Sequence, residues 1–141
     1  MQVTVEMLTE PGFFPSKAHS TDAGFDLKAT VDCALPPFEA CPIPVGFKMK
    51  LPEGYEAQIR ARSGMSIKGL QVANAPGTID SGYEGEVKAI MYNATAIPIV
   101  ITRGQKIAQM VIQKLPEIEL VEGIVTKESE RGEDGFGSSG T

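Results

Sequence analysis

The chain has 141 residues, of which 42% are hydrophobic and 22% are charged, and its formal net charge is −5. This length corresponds to one domain, which buries enough surface to fold without disulfides or a metal. No apolar run approaches the ~18 residues of a membrane-spanning helix. The acidic balance, without a basic stripe, argues against nucleic-acid binding through phosphate contacts. We therefore expect a globular protein that engages neither membranes nor nucleic acid.

The first predicted strands follow an alternation of apolar and polar residues, which is the two-residue period of a β-strand. The first strand begins at residues 3–5, and the second covers residues 25–29. Residues 45–51 and 55–61 alternate in the same way on either side of a turn at residues 52–54. This pattern predicts a β-hairpin with one buried face.

The remaining elements are also short. Residues 63–69 predict a short helix, and residues 87–92, 97–102 and 118–125 predict strands. Residues 107–115 fit a helical face as well as a strand, but their β-branched pair favours a strand. Many short strands between glycine and proline turns predict an all-β sandwich or barrel with at most one short helix.

The cysteines and the N-terminus bear on the cellular compartment. Cys33 and Cys41 lack CxxC spacing and are too few for a disulfide framework, so both are expected to be reduced thiols. The first residues lack the basic and apolar stretches of a secretory signal. These features predict a cytoplasmic protein, with a nuclear, organellar or viral origin left open.

The composition changes near the C-terminus, where residues 127–141 hold one apolar side chain, Phe136, among glycines, serines and charges. Such a segment buries too little apolar surface to offset the entropy that it would lose on becoming ordered. We therefore expect a folded domain over residues 1–126 and a flexible C-terminal arm over residues 127–141. Arg131 and Phe136, set among glycines, are also the residue types that clamp a phosphate and a ring, so a solvated tail and a ligand clamp both remain open.

An anion-binding segment is predicted after the strand at residues 55–61. Arg62, Ser63 and Gly64 present a guanidinium, a hydroxyl and backbone N–H groups there. The spacing is not that of a P-loop. A solvated polar turn is the alternative for this segment.

A second glycine-rich turn covers residues 76–86. Gly77 allows a close approach of the backbone to a ligand. Asp80 is a candidate general base, although an aspartate in a turn often only caps its own backbone. Tyr83 is suited either to stacking on a ring or sugar, or to ordinary half-buried packing.

Five motifs in order make the chain resemble the homotrimeric deoxyuridine triphosphatase (dUTPase) family. They cover residues 23–27, residues 62–64 with Lys68, residues 74–83, residues 103–109 and residues 131–140. The resemblance implies a distorted β-jelly-roll subunit, a homotrimer with active sites at subunit interfaces, and Mg²⁺ as cofactor. It implies hydrolysis of dUTP to dUMP and pyrophosphate, which keeps uracil out of DNA and supplies dUMP for dTMP synthesis.

The resemblance also assigns roles by motif position. Asp80 would activate the attacking water, Tyr83 would lie under the deoxyribose, and Asp26 would contact the metal through water. The nucleotide-binding positions are Asn74, Gly77, Thr78, Ile79 and Lys88 for the uracil side, Arg62, Ser63, Gly64 and Gln109 for the phosphates, and Arg131, Phe136, Gly137 and Ser138 in the closing arm.

Two departures from the family pattern accompany the resemblance. Asp134 stands where a glycine is usual, which places a carboxylate near the triphosphate. The segment after Lys68 is one residue shorter than in similar bacterial proteins.

Two other functions were weighed against dUTP hydrolysis. A dCTP deaminase shares the fold but requires a glutamate at the position of Ile90. A non-catalytic trimer that binds or regulates a partner would not require Asp80, Tyr83 and the fifth motif together. Both alternatives therefore rank below dUTP hydrolysis.

Overall fold

The computed structural model describes residues 1–127, 129–137 and 140. Within these residues the chain forms eleven short β-strands, one helix of five residues and one 3₁₀ turn at Pro11–Phe13. The strands are β1 (Thr4–Met7), β2 (Phe25–Lys28), β3 (Cys33–Leu35), β4 (Ala40–Pro44), β5 (Phe47–Lys50), β6 (Tyr55–Arg60), β7 (Leu70–Val72), β8 (Gly77–Ile79), β9 (Lys88–Asn93), β10 (Ile99–Ile101) and β11 (Lys106–Lys114), and the helix is α1 (Ser63–Ile67).

The strands form four small sheets that enclose one core. The largest has the order β2-β11-β6-β8, the next has the order β4-β9-β7, and the other two are the pairs β1-β5 and β10-β3. Neighbouring strands are antiparallel throughout. This is the all-β jelly-roll architecture that the sequence resemblance implies, with the single short helix at its predicted place.

The core follows from the two-residue alternation. In β5 and β6 every second side chain is buried, and the intervening polar residues face outward. The strand β11 is confirmed where the sequence left helix and strand open, because its residues pair with β2 on one edge and β6 on the other. The largest buried side chains are Phe47, Leu27, Leu35, Ile43, Leu70, Met91, Ile101, Ile107 and Met110.

The predicted hairpin at residues 45–61 is wrong, although both of its strands exist. β5 pairs with β1, whereas β6 pairs with β11 and β8, so the turn at residues 52–54 carries the chain from one sheet to another. Pro52 has no N–H to continue a ladder, and its carbonyl instead accepts the Tyr55 N–H at 3.2 Å. Local alternation reports burial of a face and not the identity of the partner strand.

The predicted strand at residues 118–125 is also wrong, because these residues form neither helix nor strand in this chain. Their apolar side chains lie in solvent, with Ile118, Leu120, Val121, Ile124 and Val125 between 71% and 96% exposed. We call residues 117–125 the apolar segment. An extended apolar stretch becomes a strand only where another strand supplies backbone partners.

Four short strands were not predicted from the sequence: β3, β4, β7 and β8. β4 contains Pro42 and Pro44, which depress strand propensity, and it lies at a sheet edge where a missing N–H is tolerated.

Cys33 and Cys41 are free thiols, as expected. Burial is the main cause that raises the pKa of the Cys33 thiol, with the neighbouring Cys41 and Asp32 adding to it. Across the described residues, no helix has the length and hydropathy needed to cross a bilayer.

Candidate functional site

A pocket of about 330 Å³ opens between β8, β9 and the loop that joins them. Its walls hold most of the residues predicted on the uracil and sugar side, together with the predicted base. The lining residues are Asn74, Gly77, Thr78, Ile79, Asp80, Tyr83 and Lys88, joined by Pro42, Ile59, Glu86, Val87 and Ile90.

The floor of the pocket depends on Gly77. This residue lies opposite Ile59 in the ladder between β6 and β8. An added Cβ at Gly77 would lie 3.3 Å from the Ile59 Cβ and 3.5 Å from the Asn74 amide atoms. A side chain at position 77 would therefore press against Ile59, and glycine leaves bare backbone at the floor of the pocket.

The turn after β8 presents Asp80 and Tyr83 together. The Tyr83 N–H bonds the Asp80 carbonyl at 3.1 Å, and the Tyr83 hydroxyl donates to the Glu86 carbonyl at 2.7 Å. These bonds fold the tyrosine ring back over the turn. The Asp80 carboxylate is exposed and pairs with no cation among the described residues, which leaves it open to water and ligand.

A second cluster forms at one end of β2, β11 and β6. Asp26 is opposite Gln109 in the ladder between β2 and β11. The Asp26 carboxylate, 16% exposed, pairs through one oxygen with the Arg62 Nε at 3.2 Å and through the other with the Lys106 Nζ at 3.2 Å. The cluster therefore combines one carboxylate and two cations where β2, β11 and β6 adjoin.

The side chains around this cluster are held by backbone contacts. The Gln109 Nε2 donates to the Ala61 carbonyl at 2.9 Å, and an added Cβ at Gly24 would overlap the Gln109 amide oxygen. Arg62 also reaches the Lys106 carbonyl through Nη1 at 3.3 Å. Glycine at position 24 thus leaves room for Gln109 beside Asp26.

Ser63 and Gly64 form the exposed first turn of α1. The Arg62 carbonyl accepts the N–H groups of Met65 at 3.0 Å and Ser66 at 2.9 Å, so the helix begins directly after the arginine. Ser63 and Gly64 therefore follow directly after Arg62, whose guanidinium pairs with Asp26.

The described arm residues make local contacts or are exposed. The Arg131 Nε donates to the Asp134 carbonyl at 2.5 Å, and Phe136 is fully exposed. No hydrogen bond or ion pair among the described residues joins Arg131, Phe136 or Gly137 to the pocket or to the Asp26 cluster. Ser138 lies outside the described residues.

Sequence reasoning missed three residues at these places. Lys106 belongs to the fourth motif but was assigned no role, and only the fold brings it to Asp26. Glu86 and Pro42 line the pocket without having been singled out. Glu86 is the last residue of the glycine-rich turn predicted at residues 76–86, and its place in that turn is the signal that was available.

The fold and the two polar groups define a class of site. A glycine-floored pocket with an asparagine, an aspartate and a tyrosine suits a small polar ring and sugar, and the neighbouring cations suit its phosphates. We found no three His, Cys, Asp or Glu side chains in the described parts of the chain that group closely enough to hold a metal ion.

Comparisons with known proteins agree with this class. The dUTPase family model matches residues 11–140. The chain is 41% identical to the deoxyuridine 5'-triphosphate nucleotidohydrolase of Clostridium kluyveri over 100% of its length and 99% of the relative's. It is 43% identical to the corresponding protein of Clostridium novyi, with 99% of each chain covered.

Two solved structures are similar across most of the chain. A mutant dUTPase of Staphylococcus bacteriophage 80alpha with dUpNHpp has a TM-score of 0.83 at 30% identity, covering 99% of both chains. The dUTPase of phage phi11 of S. aureus, in which a structural Mg(II) ion is coordinated, has a TM-score of 0.77 at 28% identity and covers 89% of this chain and 100% of its own. The present chain belongs to the dUTPase family.

Proposed function

We propose that the chain hydrolyses dUTP to dUMP and pyrophosphate, by in-line attack of an Asp80-activated water on the α-phosphorus. The observation that carries this proposal is the pocket, which is lined by seven of the predicted site residues, Asp80 and Tyr83 among them. The relatives are named deoxyuridine 5'-triphosphate nucleotidohydrolases, and a similar structure holds dUpNHpp.

The floor of the pocket suits uracil recognition. Bare backbone at Gly77, Thr78 and Ile79 would offer donors and acceptors to the uracil edge, with Asn74 and the Lys88 backbone beside them. A methyl group in a soft apolar pocket is worth only ~1–3 kcal/mol, so rejection of thymine needs rigid backbone near the ring. Cytosine would leave the backbone groups unpaired.

The cation cluster suits the phosphates. Arg62 would meet the phosphate chain with Ser63, Gly64 and Gln109, and Arg131 would reach the γ-phosphate from the arm. Placed cations and N–H groups stabilise the charge that spreads over the leaving pyrophosphate.

Asp26 fits a water-mediated contact with Mg²⁺. Each of its oxygens already meets a cation, at 3.2 Å in both cases, and each retains a lone pair for a water. Mg²⁺ typically keeps several waters and binds through one or two carboxylates plus substrate phosphates. When bound, the ion would neutralise charge on the triphosphate, while Asp26 positions its water shell.

The proposal includes a homotrimer with shared sites, and two features of the single chain support assembly. The pocket, the Asp26 cluster and the arm hold parts of one predicted site, yet no hydrogen bond or ion pair among the described residues joins the arm to the other two. The apolar segment lies in solvent, although burial of a leucine or valine side chain contributes about 1.5–3 kcal/mol. Both features are explained if other copies of the chain cover the segment and complete the site.

The arm would close over bound nucleotide. Phe136, fully exposed at a positive φ of 50°, has no packing partner to displace, and it would stack on the uracil as Arg131 meets the γ-phosphate. Closure would exclude water other than the nucleophile.

The two competing functions receive less support from the site. Ile90 lines the pocket, where a deaminase would require a glutamate. A purely regulatory trimer would not need an unpaired carboxylate in a nucleotide-sized pocket.

The central test is the substitution Asp80→Asn. Removal of a positioned base typically lowers the rate ~10²–10⁴-fold, while the pocket should still bind nucleotide. Single-turnover hydrolysis of dUTP with Mg²⁺, together with calorimetric binding of a non-hydrolysable analogue, measures both quantities. A rate within tenfold of the native enzyme would rule out Asp80 as the base.

A further inference from the structure

We infer that Gly85 is a specificity-determining position, because its missing side chain lets the Tyr83 ring lie where it excludes a 2'-hydroxyl. Gly85 would act through Tyr83 and not by touching the nucleotide, so it is a positioning residue. The inference rests on the proposed function and on the role that the family resemblance implies for Tyr83, which would lie under the deoxyribose and leave no room for a 2'-hydroxyl.

The contact between these two residues is close. An added Cβ at Gly85 would lie 2.5 Å from the Tyr83 Oη, 2.7 Å from its Cζ and 2.9 Å from its Cε1. Non-bonded carbon atoms normally stay about 3.5–4.0 Å apart. The ring therefore occupies the space that any side chain at position 85 would need.

The ring is also anchored at its far end. The Tyr83 hydroxyl donates to the Glu86 carbonyl at 2.7 Å, one residue beyond Gly85. The hydroxyl and the ring edge thus cross the backbone of the turn at Gly85. This bond and the bare glycine together determine where the ring lies.

The position of the ring matters because it separates two cavities. Tyr83 lines the pocket with Asp80 and also lines a second cavity of about 230 Å³ between β1, β5 and the same turn. The other residues of the second cavity are Thr4, Glu6, Lys48, Met49, Lys50, Ser81 and Glu84. A ring that leaves its place opens the nucleotide pocket toward this second cavity.

A shifted ring would weaken sugar selection. A wall built from one anchored ring rejects a 2'-hydroxyl only while the ring is fixed, because a loose apolar pocket discriminates poorly against an added hydroxyl. The substitution Gly85→Ala should break the bond to the Glu86 carbonyl and free the ring. The phosphate-binding cluster around Asp26 is on other strands and should be unchanged.

The chain offers a matched control in the same turn. Gly82 has no atom within 4 Å of an added Cβ, and neither Gly82 nor Gly85 has a positive φ. The substitution Gly82→Ala therefore changes the same residue type in the same loop without meeting the ring. A difference in dUTP preference between the two variants therefore measures the effect of the contact with Tyr83, since both variants lose a glycine.

The experiment compares kcat/KM for dUTP and for UTP in the native enzyme and in four variants: Gly85→Ala, Gly82→Ala, Tyr83→Ala and the double variant Gly85→Ala with Tyr83→Ala. We expect Gly85→Ala to lower the dUTP preference by about tenfold, and Gly82→Ala to preserve it. The double variant should match Tyr83→Ala alone, because Gly85 acts only through the ring. Circular dichroism and thermal melting check the fold of each variant.

The outcomes separate this inference from the proposed function. If Tyr83→Ala loses the dUTP preference and Gly85→Ala retains it, the inference is overturned and the role of Tyr83 stands. If Tyr83→Ala retains the preference, the proposed role of Tyr83 and the inference both fail. Equal losses in Gly85→Ala and Gly82→Ala would also overturn the inference. If Gly85→Ala unfolds, the double variant should regain the stability of Tyr83→Ala, and failure to do so would contradict the contact.

Discussion

At the scale of single residues, the site is arranged by small side chains and paired charges. Gly77 exposes backbone in the pocket floor, and Gly24 makes room for Gln109 beside the carboxylate of Asp26. Asp26 in turn holds Arg62 and Lys106 on its two oxygens. Each of these effects is sensitive to substitution, since an added methyl group or a lost cation changes what a ligand would meet.

Lys106 is predicted to take part in triphosphate binding. The substitution Lys106→Met removes one cation from the cluster and leaves Asp26 paired with Arg62 alone. We expect KM for dUTP to rise roughly two- to fivefold at low salt, because a partly exposed charge contributes at most about 1 kcal/mol. The turnover number should change less, and Lys106→Arg should restore KM.

Lys114, at the other end of the same strand, supplies the control for this prediction. The substitution Lys114→Met makes the same change in net charge far from Asp26. Steady-state kinetics at two ionic strengths would then separate local from general electrostatics. An unchanged KM in Lys106→Met, or an equal rise in Lys114→Met, would contradict a specific role for Lys106.

At the scale of elements, each part of the site belongs to a different strand pair. The β6–β8 ladder supplies the pocket floor, whereas the junction of β2, β11 and β6 supplies the cation cluster. The apolar segment follows β11 and has no strand to pair with inside the chain. Its sequence predicted a strand, but in the single chain these residues form no strand.

The apolar segment is therefore predicted to be buried against another copy. Leu120 is 93% exposed in the single chain, so Leu120→Asp should not disturb the subunit fold. It should weaken assembly, because a carboxylate would have to be buried without a partner. Sedimentation velocity should show smaller species than the native enzyme, with Leu120→Met as the conservative control. Sedimentation of Leu120→Asp as the native species would contradict burial of the segment.

At the scale of the whole molecule, activity is expected to require several chains. Among the described residues of one chain, no hydrogen bond or ion pair joins the pocket with Asp80 to the arm with Arg131, and a trimer with shared sites would explain this. Inactive variants with different defects should then rescue each other when their subunits mix, because some sites would combine intact parts of both.

Subunit complementation tests this arrangement. Asp80→Asn lacks the proposed base, and truncation before Arg131 lacks the arm. After unfolding and refolding together in equal amounts, about a quarter of the sites should combine an intact Asp80 with an intact arm from another chain. Activity of the mixture well above either variant alone is the expected result. A mixture as inactive as its components would indicate that each site takes both parts from one chain.

The sequence alone determined the fold class, the short helix and the part of the pocket between Asn74 and Tyr83. These features depend on local information: a two-residue alternation, glycine and proline turns, and a contiguous run from Asn74 to Tyr83 that remains together in any fold of the loop. Asp26, Arg62 and Gln109 were named from motif position, but nothing local indicated that they would meet.

Only the tertiary structure decided the pairing of strands and the contacts between distant positions. The turn at residues 52–54 links two sheets, because partner choice depends on burial of both faces and not on proximity along the chain. Lys106 reaches Asp26, and the Tyr83 ring crosses Gly85, because backbone paths bring their atoms within a few ångströms. Alternation records which face of a strand is buried, whereas the three-dimensional path determines which residues meet there.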